Sequence, residues 1–275
     1  MTSKNNVPIG LFDSGLGGLT VLKAVAERLP HESFLYLGDT ARVPYGSKSV
    51  ETVTRYSLEN VSFLVEKGAK VVVVACNTAS AYALEALRQK FSIPILGVIE
   101  PGVRGALGRT RNQRIGVIGT EGTIRSGAYA ALLKKFNPKL EVYSFATPLF
   151  VPLVEEGWLS GEEGRQIVKR YLSPLVSLKI DTLILGCTHY PLLKGLLKDV
   201  LGDGVALIDS ADELAKDLQT VLQKKGIENP TSGTGAMNCA PTSFYVTDSP
   251  ERFCRVGSLF LGENLENVER VTVGL

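Results

Sequence analysis

Two short cysteine motifs, Cys76-Asn77-Thr78 and Cys187-Thr188-His189, stand 111 residues apart. Each closes an apolar run (VVVVACNT and TLILGCTH), and each precedes a stretch that can form a helix. A thiol at the end of a buried strand, aimed at a helix N-terminus, can be made acidic and reactive. Two thiols in like settings suggest one site worked from two sides. Taken singly, each cysteine reads more readily as an inert core residue; the neighbours change that balance. Asn77 and Thr78 are good helix caps and can donate hydrogen bonds to a carboxylate. His189 lies two residues beyond Cys187 and can exchange protons with the thiol or with a substrate, although a merely satisfied histidine is the plain alternative.

Other chemistry-bearing residues lie at predicted strand ends. Asp13-Ser14-Gly15-Leu16-Gly17-Gly18 follows a strand and opens a helix. Glycines there let backbone N–H groups approach an anion. The run matches neither nucleotide-binding glycine pattern, and Asp13 would repel a phosphate. An acid that binds an ammonium or orients a nearby thiol explains Asp13 better, against a tight turn without ligand. Asp39-Thr40 ends the second strand. Tyr45 and Gly46, in the loop after it, can offer main-chain donors to a small acid. Glu155-Glu156, in TPLFVPLVEEG, is either a site acid or a charged pair at a helix end.

The elements that must position these residues are legible as short apolar runs alternating with amphipathic ones. Strands are expected near 7–12, 33–37, 70–76, 93–98, 114–118, 140–145, 181–186, 205–209 and 243–247. Helices are expected over 17–29, 49–67, 78–90, 122–135, 160–178, 191–200, 210–225 and 250–260. The strands are nearly continuous in Val, Ile and Leu, as when both sheet faces are covered. This alternation predicts an α/β fold with mainly parallel sheets. A weak internal repeat relates Ile9–Gly18 (IGLFDSGLGG) to Ile115–Thr123 (IGVIGTEGT), 106 residues apart. Each repeat start leads, 67 to 72 residues later, to its cysteine. A duplicated unit puts both thiols at the C-terminal ends of equivalent strands, where open α/β sheets bind ligands. The expectation is two pseudo-symmetric α/β/α sandwich domains facing across an active-site cleft. Residues 1–96 plus 208–275 would carry Asp13 and Cys76; residues 97–207 would carry Glu155, Cys187 and His189. The segment 226–242 reads as a loop.

Composition narrows the function classes. In 275 residues, 44% hydrophobic, a sizeable core is possible and disorder is not expected. Thirty basic residues against 28 acidic ones give a net charge of +2, no electrostatic case for nucleic acid. No apolar run approaches the roughly 18–20 residues needed to span a bilayer, and the N-terminus lacks a signal-peptide core, so a cytoplasmic protein without membrane partners is expected. The four cysteines are not a disulfide framework. Neither of the two histidines, His31 and His189, has zinc-ligand spacing, so no metal is expected. No lysine occupies a convincing strand-end site for pyridoxal phosphate, so no cofactor is expected either.

The set DSGLGG, GDT, VPYG, ACNTAS, PLVEEG and GCTHYP closely resembles the glutamate racemases, cofactor-independent enzymes of the aspartate/glutamate racemase superfamily that make D-glutamate for bacterial peptidoglycan. The resemblance runs from residue 7 to about 260, in unbroken order and with no departure at a motif position. It implies that Cys76 abstracts the α-proton of D-glutamate and Cys187 that of L-glutamate. Asp13 would assist Cys76; His189, and with it Glu155 in preference to Glu156, would assist Cys187. Asp13, Ser14, Tyr45, Gly46, Asn77, Thr78, Thr188 and His189 would bind the substrate. A homodimer is implied as well. Aspartate or hydantoin racemases of the same superfamily, a thiol redox protein and a non-catalytic amino-acid-binding domain remain rival readings.

Overall fold

The computed structural model describes residues 7–229 and 241–274. Cys239 and most of the loop expected at 226–242 lie outside the described residues. The first third of the chain runs β1 (Ile9–Asp13), α1 (Leu19–Arg28), β2 (Phe34–Gly38), α2 (Val50–Glu66), β3 (Val71–Val74), α3 (Asn77–Tyr82), α4 (Leu84–Lys90), β4 (Ile95–Gly97) and α5 (Ile99–Leu107). It continues with β5 (Arg114–Gly119), α6 (Glu121–Arg125), α7 (Ala128–Phe136), β6 (Glu141–Ala146), α8 (Phe150–Glu155), α9 (Glu162–Ser177), β7 (Thr182–Gly186), α10 (Lys194–Leu201), β8 (Ala206–Ile208) and α11 (Ala211–Lys225). Then follow β9 (Thr242–Val246), α12 (Pro250–Leu261) and β10 (Val268–Arg270).

Two sheets form, and every described pairing is parallel. Their orders are β10-β9-β2-β1-β3-β4 and β6-β5-β7-β8. Stripped of β9 and β10, the first order becomes the second when four is added to each strand number. The weak sequence repeat is therefore a repeat of topology, with β1 matching β5 and β3 matching β7. The central strands β1, β3 and β7 are buried along their whole length, as their apolar runs require.

The connecting helices cross between the halves. Helix α5 leaves β4 of the first sheet, but its Ile99, Val103 and Ala106 join Val117, Leu133 and Ile184 in the core of the second. Helix α11 leaves β8 of the second sheet, yet Leu214, Leu218 and Leu222 share a core with Leu19, Leu22 and Val25 of α1. Each half thus carries a helix from the other.

The structure departs from the sequence expectation in the helices. The run expected over 78–90 breaks at Ala83. That over 122–135 breaks at Gly127, whose φ of +66° suits glycine. Helices α5 and α8 are additional to the expected ones, and each contains a proline, Pro101 and Pro152. Both prolines sit in the first turn, where the missing N–H costs no intrahelical bond. The start of the helix expected over 191–200 is a 3-10 turn at Tyr190–Leu193. The edge strand β10 is too short and too charged to be legible. Among the described residues, no helix is long and apolar enough to cross a membrane.

Candidate active site

Cys76 lies two residues beyond β3 and caps α3, its Sγ accepting the Ala79 N–H at 3.5 Å. The thiol also contacts Ser14 Oγ at 3.6 Å, just beyond β1. Cys187 follows β7 directly, and its Sγ stands 3.9 Å from His189 Nδ1. Both thiols are buried, and both line one cavity of about 400 Å³ at the C-terminal ends of the two sheets. That is the position the repeat implied, where strand C-termini and helix N-termini converge.

Around Cys187 the polar groups form a chain. His189 Nε2 is 3.1 Å from Glu155 Oε1, and Arg252 Nη2 donates to Glu155 Oε2 at 2.9 Å. Glu155, the last residue of α8, is thereby distinguished from Glu156, which lines the cavity without a bond to His189. On the other side, Asp13 accepts from Gly15 N–H at 2.9 Å and from Thr188 Oγ1 at 3.4 Å. It acts on Cys76 through its charge, the thiol's own hydrogen bonds being to Ser14 and Ala79. Gly17 lets the two halves meet here, since a Cβ on it would fall on Thr188 Oγ1 and His189 Nδ1.

The remaining wall joins the halves through hydroxyls and amides. Thr78 Oγ1 is 2.8 Å from Thr120 Oγ1 and 3.1 Å from Thr123 Oγ1. Tyr129 donates to Asn77 Oδ1 at 2.7 Å. Tyr45 is buried, its hydroxyl held by Asp39 and by Asn60 Nδ2, so its ring anchors the loop that brings Gly46 to the cavity. Asp39 itself ties down Arg42 and Thr247 behind that loop. All of Asp13, Ser14, Tyr45, Gly46, Cys76, Asn77, Thr78, Glu155, Cys187, Thr188 and His189 converge on this region, and all but the fully buried Asp13 line the cavity. Sequence reasoning missed Thr120 and Arg252, which line it too. The 106-residue offset of the repeat lays Thr120 over Ser14, a signal that was available. Arg252 carried no such signal. Among the described residues, no group of three or more His, Cys, Asp or Glu side chains could hold a metal ion.

The charges are unequal across the cavity. Burial, then the charge of Asp13, pushes the Cys76 thiol up to about 12, outweighing the Ala79 N–H and Ser14, which pull it down. The Ala79 N–H at the start of α3 pulls the thiol down, the direction expected of a helix N-terminus, but α3 has only six residues and burial outweighs it. Burial also raises Asp13, although His189 and three backbone N–H groups oppose it. For His189, burial works against the charged form. The bonds and charges of Cys187 and Glu155 nevertheless win and raise it to about 10, so the imidazole is a cation near neutral pH. Burial would raise Glu155, but the hydrogen bond and charge of His189, with Arg252 behind, hold it below the usual carboxylate value.

This arrangement offers one basic thiol and one thiol beside a cation, on the two halves of one cavity. Comparison with known proteins narrows its use. Residues 17–218 match the model of the Asp/Glu/Hydantoin racemase family. The chain is 55% identical over 265 residues to a glutamate racemase of Geobacter metallireducens, covering 96% of both chains. It superposes on a glutamate racemase isoform of Bacillus anthracis with a TM-score of 0.90, at 44% identity and 98% coverage of each chain. A glutamate racemase of Francisella tularensis, solved with D-glutamate, gives a TM-score of 0.88 at 40% identity, over 97% of this chain and 98% of that one.

Proposed function

The chain belongs to the Asp/Glu/Hydantoin racemase family, and from that premise we propose that it interconverts L- and D-glutamate with Cys76 and Cys187 as its two bases. The observation that carries the reading is the placement of both thiols at equivalent strand ends on one 400 Å³ cavity. Inverting an α-carbon needs a base on one face and an acid on the other. Cys187, as thiolate, takes the α-proton of L-glutamate; Cys76, as thiol, delivers its proton to the opposite face. The product is D-glutamate, with the proton now on Cys187 and the charge on Cys76. The reverse reaction uses the same groups in exchanged roles.

The α-proton is a very weak acid, so a strongly basic thiolate is an advantage. A thiol raised to about 12 narrows the gap to such a carbon acid but leaves little thiolate at neutral pH, so basicity alone is not sufficient. The hydroxyl and amide donors of the wall, fixed before the reaction, stabilise the negative charge that develops. Ser14, Asn77, Thr78 and Thr188, with main-chain donors of Tyr45 and Gly46, bind the two carboxylates. Asp13, buried behind the cavity wall against Gly15 and Thr188, favours the ammonium through its charge. His189, held by Glu155, gives positive charge to the Cys187 side. In this reading residues 1–96 plus 208–275 and 97–207 form the two domains, and relative motion between them closes the cavity. The enzyme works in the cytoplasm as a homodimer and supplies D-glutamate for peptidoglycan.

The near relatives favour glutamate over aspartate or hydantoins. The test is a chiral assay of glutamate, aspartate and hydantoins without added cofactor. Turnover of both glutamate enantiomers, with thiol content unchanged, is the expected result. Preference for another substrate, or loss of thiols during turnover, would overturn the reading.

A further inference from the structure

Helix α12 packs against α1 and β10 on the first sheet's side of the molecule, yet one of its side chains meets His189 of the other half directly and a second reaches it through Glu155. Arg252 holds Glu155 Oε2 at 2.9 Å while Glu155 Oε1 holds His189 Nε2 at 3.1 Å. Two turns further along α12, the Phe260 ring meets the imidazole edge-on, with centroids 5.2 Å apart and planes at 89°. The imidazole is therefore fixed at Nε2 and across its ring, and Nδ1 is left to Cys187. Glu155 needs help to serve this role. It ends α8, where the free carbonyls disfavour a carboxylate. Cations from outside α8 offset that: His189 holds one carboxylate oxygen and Arg252 the other. Its side chain is 51% exposed, so packing does not explain its position.

We propose that Arg252 is a positioning residue for the racemisation, holding Glu155 aimed so that His189 presents Nδ1 to Cys187. The inference rests on the glutamate-racemising reading and on the pairing of His189 with Cys187. It makes α12 a strut that couples one half of the molecule to the proton-transfer step of the other.

The effect is testable despite a constraint that applies to every racemase. The two substrates are mirror images, so their equilibrium constant is unity and kcat/KM must stay equal in both directions for any variant. The side that has been damaged shows instead in isotope effects. If the Cys187 step is slowed, it limits both directions. L-glutamate deuterated at the α-carbon then shows the full primary effect, because that step breaks its C–D bond. From deuterated D-glutamate the bond breaks at the Cys76 step, now a fast pre-equilibrium, and the effect shrinks.

The experiment compares the full chain with Arg252→Gln and Arg252→Lys. Arg252→Gln is expected to lower kcat about fivefold, the scale of a half-exposed ion pair, with KM little changed. The isotope effect should rise from L-glutamate and fall from D-glutamate, and Arg252→Lys should restore most of both. Three outcomes would overturn the proposal: parental kinetics in Arg252→Gln, a rise in KM with kcat held, as for a rim charge that only attracts substrate, or a fall in kcat without change in isotope asymmetry. A parent that racemises no glutamate would instead defeat the functional reading itself.

Discussion

Cys76 and Cys187 hold the same place in two sheets that repeat one strand order, but their surroundings differ in kind. Cys76 is met by a hydroxyl, a backbone N–H and the charge of Asp13, and burial raises its thiol to about 12. Cys187 is met by an imidazole kept cationic by Cys187 itself and by Glu155, which Arg252 holds in turn. The backbone frame comes from the repeat and is nearly symmetric. The chemistry comes from side chains at positions where the repeat has diverged. The lesson is that a duplicated fold places two groups face to face, and local charge then makes them different reagents.

The comparison is broken most severely by removing either thiol. Cys76→Ala and Cys187→Ala should each cut racemisation by at least about a thousandfold in both directions, since each removes one of the two proton carriers. A direct kcat measurement checks this.

His189→Gln sharpens the contrast. It should lower kcat by about a hundredfold, the scale of a positioned acid–base group, with the isotope effect larger from L-glutamate. It should also change the pH dependence of stability. His189 is raised in the folded state, so its contribution is fully present below the unfolded value of about 6.5. It is lost as pH rises through about 10. The melting temperature of the parent should therefore fall more steeply than that of His189→Gln between these limits.

Gly17→Ala tests the contact of the halves. Its Cβ must displace Thr188 and His189 together, costing about 1–3 kcal/mol of stability and lowering kcat. Thermal melts and initial rates read both. Ser14→Ala should be mildest, about three- to tenfold in kcat, the scale of one hydrogen bond. Ser14 Oγ holds the Cys76 thiol at 3.6 Å, so its loss leaves the thiol less well placed and slows the Cys76 step. The isotope effect should then be larger from D-glutamate, the mirror of the His189 result.

What could be read before folding follows from how local each feature is. Buried parallel strands announce themselves as unbroken apolar runs, so β1, β3, β5 and β7 were legible, and with them both thiols at strand ends. Helices α5 and α8 are additional to the expected ones, and each carries a first-turn proline, Pro101 and Pro152, which resembles a breaker in sequence. Glu155 and Glu156 were chemically alike until the last turn of α8 aimed one of them at His189. Arg252 lies 97 residues from Glu155 along the chain, and its amphipathic helix gave no hint of that partner. The boundaries expected at 97 and 208 already assigned α5 to the second half and α11 to the first, each opposite to the strand it follows.

The central claim is that each thiol serves one enantiomer. Following α-proton exchange in D₂O by NMR in the two cysteine variants tests it most directly. Cys76→Ala should wash deuterium into L-glutamate but not into D-glutamate, with no racemisation, and Cys187→Ala should do the reverse. Exchange of L-glutamate at the parental rate in Cys187→Ala, or exchange of both enantiomers by either variant, would contradict the assignment.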